Sequence, residues 1–125
     1  MLLPLTCPKT ELVEVVRITD PTRHITSDDL AGDTVAIWEG RQVRAVLELI
    51  AALPDSEPFR CFLPGWGIRA HGFTGRLFEI AFCFQCHTAR IWGPDLPPER
   101  QGGSFDAESA PALELLRGFR TAMTD

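Results

Sequence analysis

The string Cys83-Phe84-Gln85-Cys86-His87 gathers more reactive side chains than any other stretch of the chain. It matches the Cys-x-x-Cys-His pattern of c-type haem attachment and contains the Cys-x-x-Cys of thiol–disulfide exchange. Both chemistries need the two sulfurs on one side of the backbone. In an extended strand successive side chains alternate between faces, so Cys83 and Cys86 diverge. A thioredoxin-type site also sets its first cysteine at a helix N-terminus, where the dipole lowers the thiol pKa, whereas a phenylalanine-rich stretch precedes Cys83. Zinc is the stronger alternative. Cys61, Cys83 and Cys86, with His71 or His87, are the ligand types of a structural zinc site, although Cys61 stands alone where a second Cys pair is usual. The reading preferred from the sequence makes Cys61, Cys83 and Cys86 small buried apolar residues on neighbouring strands, with all thiols reduced. Its variant is a cross-strand Cys61–Cys83 disulfide on oxidation. No cofactor is expected, with zinc as the alternative. A cysteine nucleophile served by His71 or His87 is conceivable, but no oxyanion hole can be assembled around it, and His24 beside Arg23 reads as solvated. The chain is expected not to be an enzyme.

Charge points to a different use. The net charge is −5, and residues 1 to 57 carry all of the acidic excess, ten acids against five bases, while the remainder holds seven of each. Asp20, Asp28, Asp29, Asp33 and Glu39 fall together in a loop-rich stretch, an acidic surface able to attract a basic protein. Nucleic acid is an unsuitable partner, because phosphate neutralisation calls for clustered Lys and Arg. Trp66, flanked by Gly65 and Gly67 in a turn, is the tryptophan expected to be exposed, and exposed tryptophans are enriched at binding hot spots. Trp38 and Trp92 sit at strand ends, where rings cap a core.

These residues need elements to hold them. At 125 residues and 45% hydrophobic, the chain fits one domain, 1–125, with a core of its own. No apolar run approaches the roughly 20 residues of a membrane span. The N-terminus has neither the basic region nor the apolar stretch of a signal peptide, so the expected compartment is the cytoplasm and no membrane contact is expected. Eleven of the twelve basic residues are Arg, and Asn and Tyr are absent, a skew typical of GC-rich bacterial genomes.

Leu12 to Ile18 is β-branched and ends before Asp20-Pro21, which predicts a strand. Ser27 to Leu30 begins with helix-capping chemistry that Gly32 cuts short. Thr34 to Trp38 is a second short strand. Between 41 and 53, Val43, Val46, Leu47, Ile50 and Leu53 recur at helical spacing, and Pro54 closes the helix. Phe59 to Leu63 alternates like a strand. A β-hairpin follows, Ile68–His71 and Arg76–Cys86, turning at the glycine-bounded Phe73-Thr74. Phe78, Ile80, Phe82 and Phe84 then share one face and look into the core. Thr88 to Trp92 adds a strand, Gly93 to Ser104 reads as an irregular excursion, and a helix spans about 109–122 with Pro111 in its first turn. Without a repeated βαβ pattern the order predicts an α+β, two-layer sandwich: a mainly antiparallel sheet of five or six strands and two longer helices.

Arg60-Cys61-Phe62-Leu63-Pro64, an Ile68-containing hairpin arm and Phe82-Cys83-Phe84-Gln85-Cys86 together resemble a pattern shared by small uncharacterised bacterial proteins, over about residues 58 to 92. The resemblance implies a shared α+β module and no particular reaction. The function expected from the residues is non-enzymatic protein binding: a bacterial immunity or inhibitor protein, monomeric or a small homo-oligomer, that neutralises a basic partner through Asp20, Asp28, Asp29, Asp33 and Trp66. The rival is a small zinc-binding or thiol-redox protein using Cys61, Cys83, Cys86 and His87.

Overall fold

A computed structural model describes residues 1–22, 29–57, 61–94, 96 and 102–124. Six antiparallel strands form one sheet: β1 (Leu12–Arg17), β2 (Asp33–Glu39), β3 (Trp66–Gly72), β4 (Gly75–Cys83), β5 (Thr88–Trp92) and β6 (Gly102–Ser104), in the order β2-β1-β3-β4-β5-β6. Two helices, α1 (Arg41–Ala51) and α2 (Ala110–Thr124), pack on one side of it. This is the α+β arrangement of antiparallel sheet and two helices that periodicity predicts.

The period-2 pattern places Val13 and Val15 of β1, Ile68 and Ala70 of β3, and Phe78, Ile80 and Phe82 of β4 on the helix-bearing face. Val43, Val46, Leu47 and Ile50 of α1 and Ala112, Leu115 and Phe119 of α2 close over them. Phe119 is the centre of an aromatic cluster, with ring centroids 5.6 Å from Trp66, 5.8 Å from Phe82, 6.1 Å from Trp38 and 6.4 Å from Phe84. Trp66 is therefore only 5% exposed. Its indole is sandwiched between Phe119 and the Arg17 guanidinium, which lies 4.7 Å over the ring, so the expectation of a solvent-facing Trp66 is corrected. As the first residue of β3, its side chain takes the inward phase of the strand.

The opposite face is half covered. After β1 the chain crosses it, and Leu30 packs with Val16, Ile18, Ala81 and Trp92 in a second, smaller cluster. Gly67 makes this crossing feasible: a Cβ there would come within 2.7 Å of the Ile80 carbonyl oxygen and 2.8 Å of the Leu30 side chain. Gly40, at φ +58°, turns the chain from β2 directly into α1, a backbone conformation that L side chains rarely adopt. Asp29 and Leu30 are not helical; residues 27 and 28 of that predicted turn lie outside the described residues.

Three further expectations change. Cys61 to Gly65 is not a strand, and residues 58–60 lie outside the description. Pro64 lacks a ladder donor, and Cys61 is tied to the β4–β5 turn by a disulfide with Cys86. Gly102–Ser104, placed by its glycines in an irregular excursion, pairs with β5 from Thr88↔Ser104 to Arg90↔Gly102. Most consequentially, the thiols are not all reduced, and the bonded pair is Cys61–Cys86, not Cys61–Cys83. Cys83 is the last residue of β4 and fully buried, whereas Cys86 lies in the turn that follows, where the alternation of a strand no longer holds.

The disulfide closes a loop across a sequence separation of 25 residues, which by chain entropy contributes about 3 kcal/mol. Cys61→Ser is expected to lower the denaturation free energy by about that much in oxidising buffer, with wild type and variant converging once dithiothreitol is added. Equal stability of the two proteins without reductant would show that the bond does not constrain the fold. Phe119→Ala, which empties the centre of the aromatic cluster, is expected to cost about 3–5 kcal/mol by urea titration.

Candidate interaction surface

The residues that periodicity marks as outward on β1, β3 and β4 form a row of charge across the open face. In register, Glu14 of β1 stands opposite Arg69 of β3, and Arg69 opposite Glu79 of β4. Arg69 Nη1 donates to Glu14 Oε2 at 2.9 Å and to Thr34 Oγ1 at 3.3 Å, and its Nε donates to Glu79 Oε2 at 3.2 Å. Nη2 donates to the Leu30 carbonyl at 3.1 Å. One guanidinium thus ties four strands and the crossing connection together. Glu79 is the only buried charged residue among those described, 4% exposed, and its other oxygen lies 3.4 Å from Arg76 Nη1. An ion this deep is tolerated only with its partners in place.

Glu14 also meets His71, Nε2 to Oε1 at 2.8 Å, and accepts from the Thr34 hydroxyl at 3.0 Å. Burial is the largest single influence on its carboxyl and acts to raise the pKa. The Arg69 and Thr34 hydrogen bonds and the charges of His71 and Arg69 together outweigh it and hold the group below its ordinary value. Beside this pair, a shallow depression is lined by Leu12, Glu14, Ile37, His71 and Phe73. Ile37 is 58% exposed and Phe73, at the tip of the β3–β4 turn, 97%. Two large apolar side chains are thus held in water beside the charged row.

The predicted acidic residues are exposed but do not form one patch. Asp20 follows β1 and accepts from the Thr22 hydroxyl at 2.9 Å. Asp29 is carried by the crossing connection to a hollow between β4 and β5 with Arg76, Glu79 and Trp92. Asp33 opens β2, opposite Arg17, with β1 and β3 between it and that hollow. Asp28 lies outside the described residues, as does His24. Sequence reasoning missed Ile37 and Phe73. The available signal was an isoleucine in phase with Glu14's face, and a phenylalanine in a glycine-bounded turn that has no room to fold inward.

The cysteine constellation is dispersed. Cys61 is exposed and bonded to the buried Cys86, and Cys83 is a buried free thiol. His87 adopts φ +55° in the turn, and its Nδ1 accepts the Ala107 N–H at 3.1 Å. His71 lies at the opposite end of the β3–β4 pair from Cys83, out of reach as its base. The remaining free cysteine, Cys7, has its thiol pKa pushed up by burial, the reverse of nucleophile activation. Among the described residues no three His, Cys, Asp or Glu side chains are grouped to hold a metal ion. No helix formed by the described residues is long and apolar enough to cross a membrane.

Arg69→Met leaves the buried Glu79 with only the half-exposed Arg76 beside it and is expected to cost about 3 kcal/mol of stability, much of it recovered in the Arg69→Met/Glu79→Leu double variant. A double variant no more stable than the single one would contradict the assignment of the cost to Glu79. Because the Glu14 carboxyl is depressed in the folded state, its contribution is complete above its unfolded pKa of about 4.3 and disappears as pH falls through the folded value. Glu14→Gln is therefore expected to flatten the acid limb of a stability–pH curve, with wild type losing more stability than the variant between neutral and strongly acidic pH. Parallel acid limbs would remove Glu14 as a source.

Proposed function

We propose that the chain is a non-enzymatic protein-binding module, of the immunity or inhibitor kind, that engages a basic partner through the acidic residues around the β1–β2 connection. Comparison with known proteins returns no match to a family, a curated sequence or a solved structure. The observation that carries this reading is the composition of β2: Asp33 and Glu39 at its two ends and Ile37 between them, all exposed at the margin of the sheet. Asp20 and Asp29 extend the same negative potential along the connection. Arg69 and Arg17 are turned inward onto Glu14 and Glu79 and onto Trp66, while Arg76 shares the hollow that Asp29 lines. Rim charge of this kind chiefly sets the association rate and its salt dependence, while apolar residues such as Ile37 and Phe73 set the lifetime of the complex.

The thiol reading retains one supporting observation, a disulfide with one exposed and one buried sulfur. A zinc site on Cys61, Cys83, Cys86 and His87 would require that bond to open and the β4–β5 turn to refold. It also bears on compartment: structural disulfides persist where the milieu is oxidising, which weighs against the cytoplasm.

A partner captured from the native lysate by the purified protein is expected to be basic. Its association with a variant carrying Asn at Asp20, Asp28, Asp29 and Asp33 is expected to be slower and less salt-sensitive by stopped-flow. Unchanged rate and salt slope would sink the electrostatic reading. Zinc measured on the same preparation at one ion per chain would transfer support to the cysteine reading.

A further inference from the structure

The two halves of the disulfide differ in access. Cys61 is exposed, whereas Cys86, in the turn between β4 and β5, is 2% exposed. Thiol–disulfide exchange is an in-line displacement: a thiolate approaches along the S–S axis from behind the sulfur it bonds, and the other sulfur leaves. Attack at Cys86 would have to come through the buried side of the bond. Attack at Cys61 comes from solvent.

The two halves also differ in how they are anchored. The turn that carries Cys86 is fixed without the disulfide: the His87 carbonyl accepts the Phe105 N–H and His87 Nδ1 accepts the Ala107 N–H, both at 3.1 Å. Residues 61–63 are lightly tied. Among the described residues their other contacts are the Thr88 hydroxyl, which donates to the Cys61 carbonyl at 3.2 Å on the surface, and Phe62, which lies 5.2 Å from the Arg90 guanidinium and rests on the cluster of Val16, Ile18, Leu30, Ala81 and Trp92. The first backbone bond to a strand comes at Gly65, which donates to the Phe82 carbonyl at 3.2 Å.

We propose that Cys61 Sγ is an attachment site for a low-molecular-weight thiol of the glutathione class. The incoming thiolate forms a new S–S bond with Cys61, the Cys61–Cys86 bond breaks, and its electron pair leaves on Cys86, which takes a proton from water. The incoming sulfur is oxidised and the Cys86 sulfur reduced, so no further oxidant or reductant enters. Cys86 stays in its turn, and the segment carrying the adduct is released as far as Gly65, which uncovers the smaller cluster and leaves the helix-bearing face intact. The inference is independent of the protein-binding reading, since it involves neither the acidic residues nor a protein partner.

The test uses the full chain and glutathione in both oxidation states. With Cys86→Ser, glutathione disulfide is expected to add one glutathione at Cys61, located by peptide mass mapping. With Cys61→Ser, Cys86 is expected to react at least about tenfold more slowly. In the unmutated chain labelled with ¹⁵N, excess reduced glutathione is expected to open the bond and shift the amides of residues 61–65, of the β4–β5 turn and around Trp92, with those of α1 and α2 unmoved. Reaction at Cys86 as fast as at Cys61, glutathione found only on Cys7 or Cys83, a bond that survives excess reduced glutathione, or shifts that spread through α1 and α2 would each overturn the proposal.

Discussion

Taking most of the Arg69 side chain out of water, to 14% exposure, is the commitment on which the open side of this sheet depends. A guanidinium cannot shed its charge, so its desolvation must be matched by acceptors placed at the forked N–H positions. Here those acceptors come from β1, β2, β4 and the connection between β1 and β2. Each bond is modest by itself in exchange for water, but losing any partner leaves a charged group stranded, which couples all four segments. The Leu30 carbonyl is the acceptor with the widest consequence. It pins the connection across the sheet, lets Leu30 seal a second apolar cluster over Gly67, and so determines where Asp29 and Asp33 emerge.

The two faces then do different physical work. The helix-bearing face is held by area: aromatic and branched side chains around Phe119, close-packed and without direction beyond shape. The open face is held by direction: a row of ions and hydroxyls whose geometry sets the position of β2 relative to β1. Helices on one side and the Thr34 contacts on the other keep β2 extended without covering its outer edge. An uncovered edge is a hazard unless its charges discourage self-pairing. The bulge at Val35, where the register with β1 shifts, and the acids at the two ends of β2 supply that discouragement.

The parts of the fold legible in the sequence are those governed by local periodicity. Val43 to Ile50 at helical spacing, the alternating Phe78-Ile80-Phe82, and the β-branched Leu12–Arg17 stretch each declare element and buried face together. Two other features escaped because they are settled by distant residues. Arg69 reads as an ordinary outward charge on a strand; its partners are 10, 35, 39 and 55 residues away, and only the strand order makes them neighbours. The pairing of Cys61 with Cys86 likewise follows from where the strands end: β4 stops at Cys83, and the turn swings Cys86 toward the segment entering β3. Trp66 was misread for a related reason. Its flanking glycines suggested a turn, but Gly67 lies within β3, where its missing side chain admits Leu30. The acidic stretch was seen as a composition, and the fold distributes it: even within β2 the bulge at Val35 turns Asp33 and Glu39 to opposite faces of the sheet.

β2 is held by β1 and left uncovered on its outer side by the described residues, and amide hydrogen exchange of the isolated protein, read residue by residue, addresses both at once. Amides of β2 that face β1 should exchange as slowly as those of β3 and β4, while the alternate, outward-facing amides of β2 exchange close to the rate of an open chain. Uniform protection along β2 in the isolated chain would mean that the edge is already occupied, and uniform fast exchange would mean that the strand is not held, and either result contradicts the account.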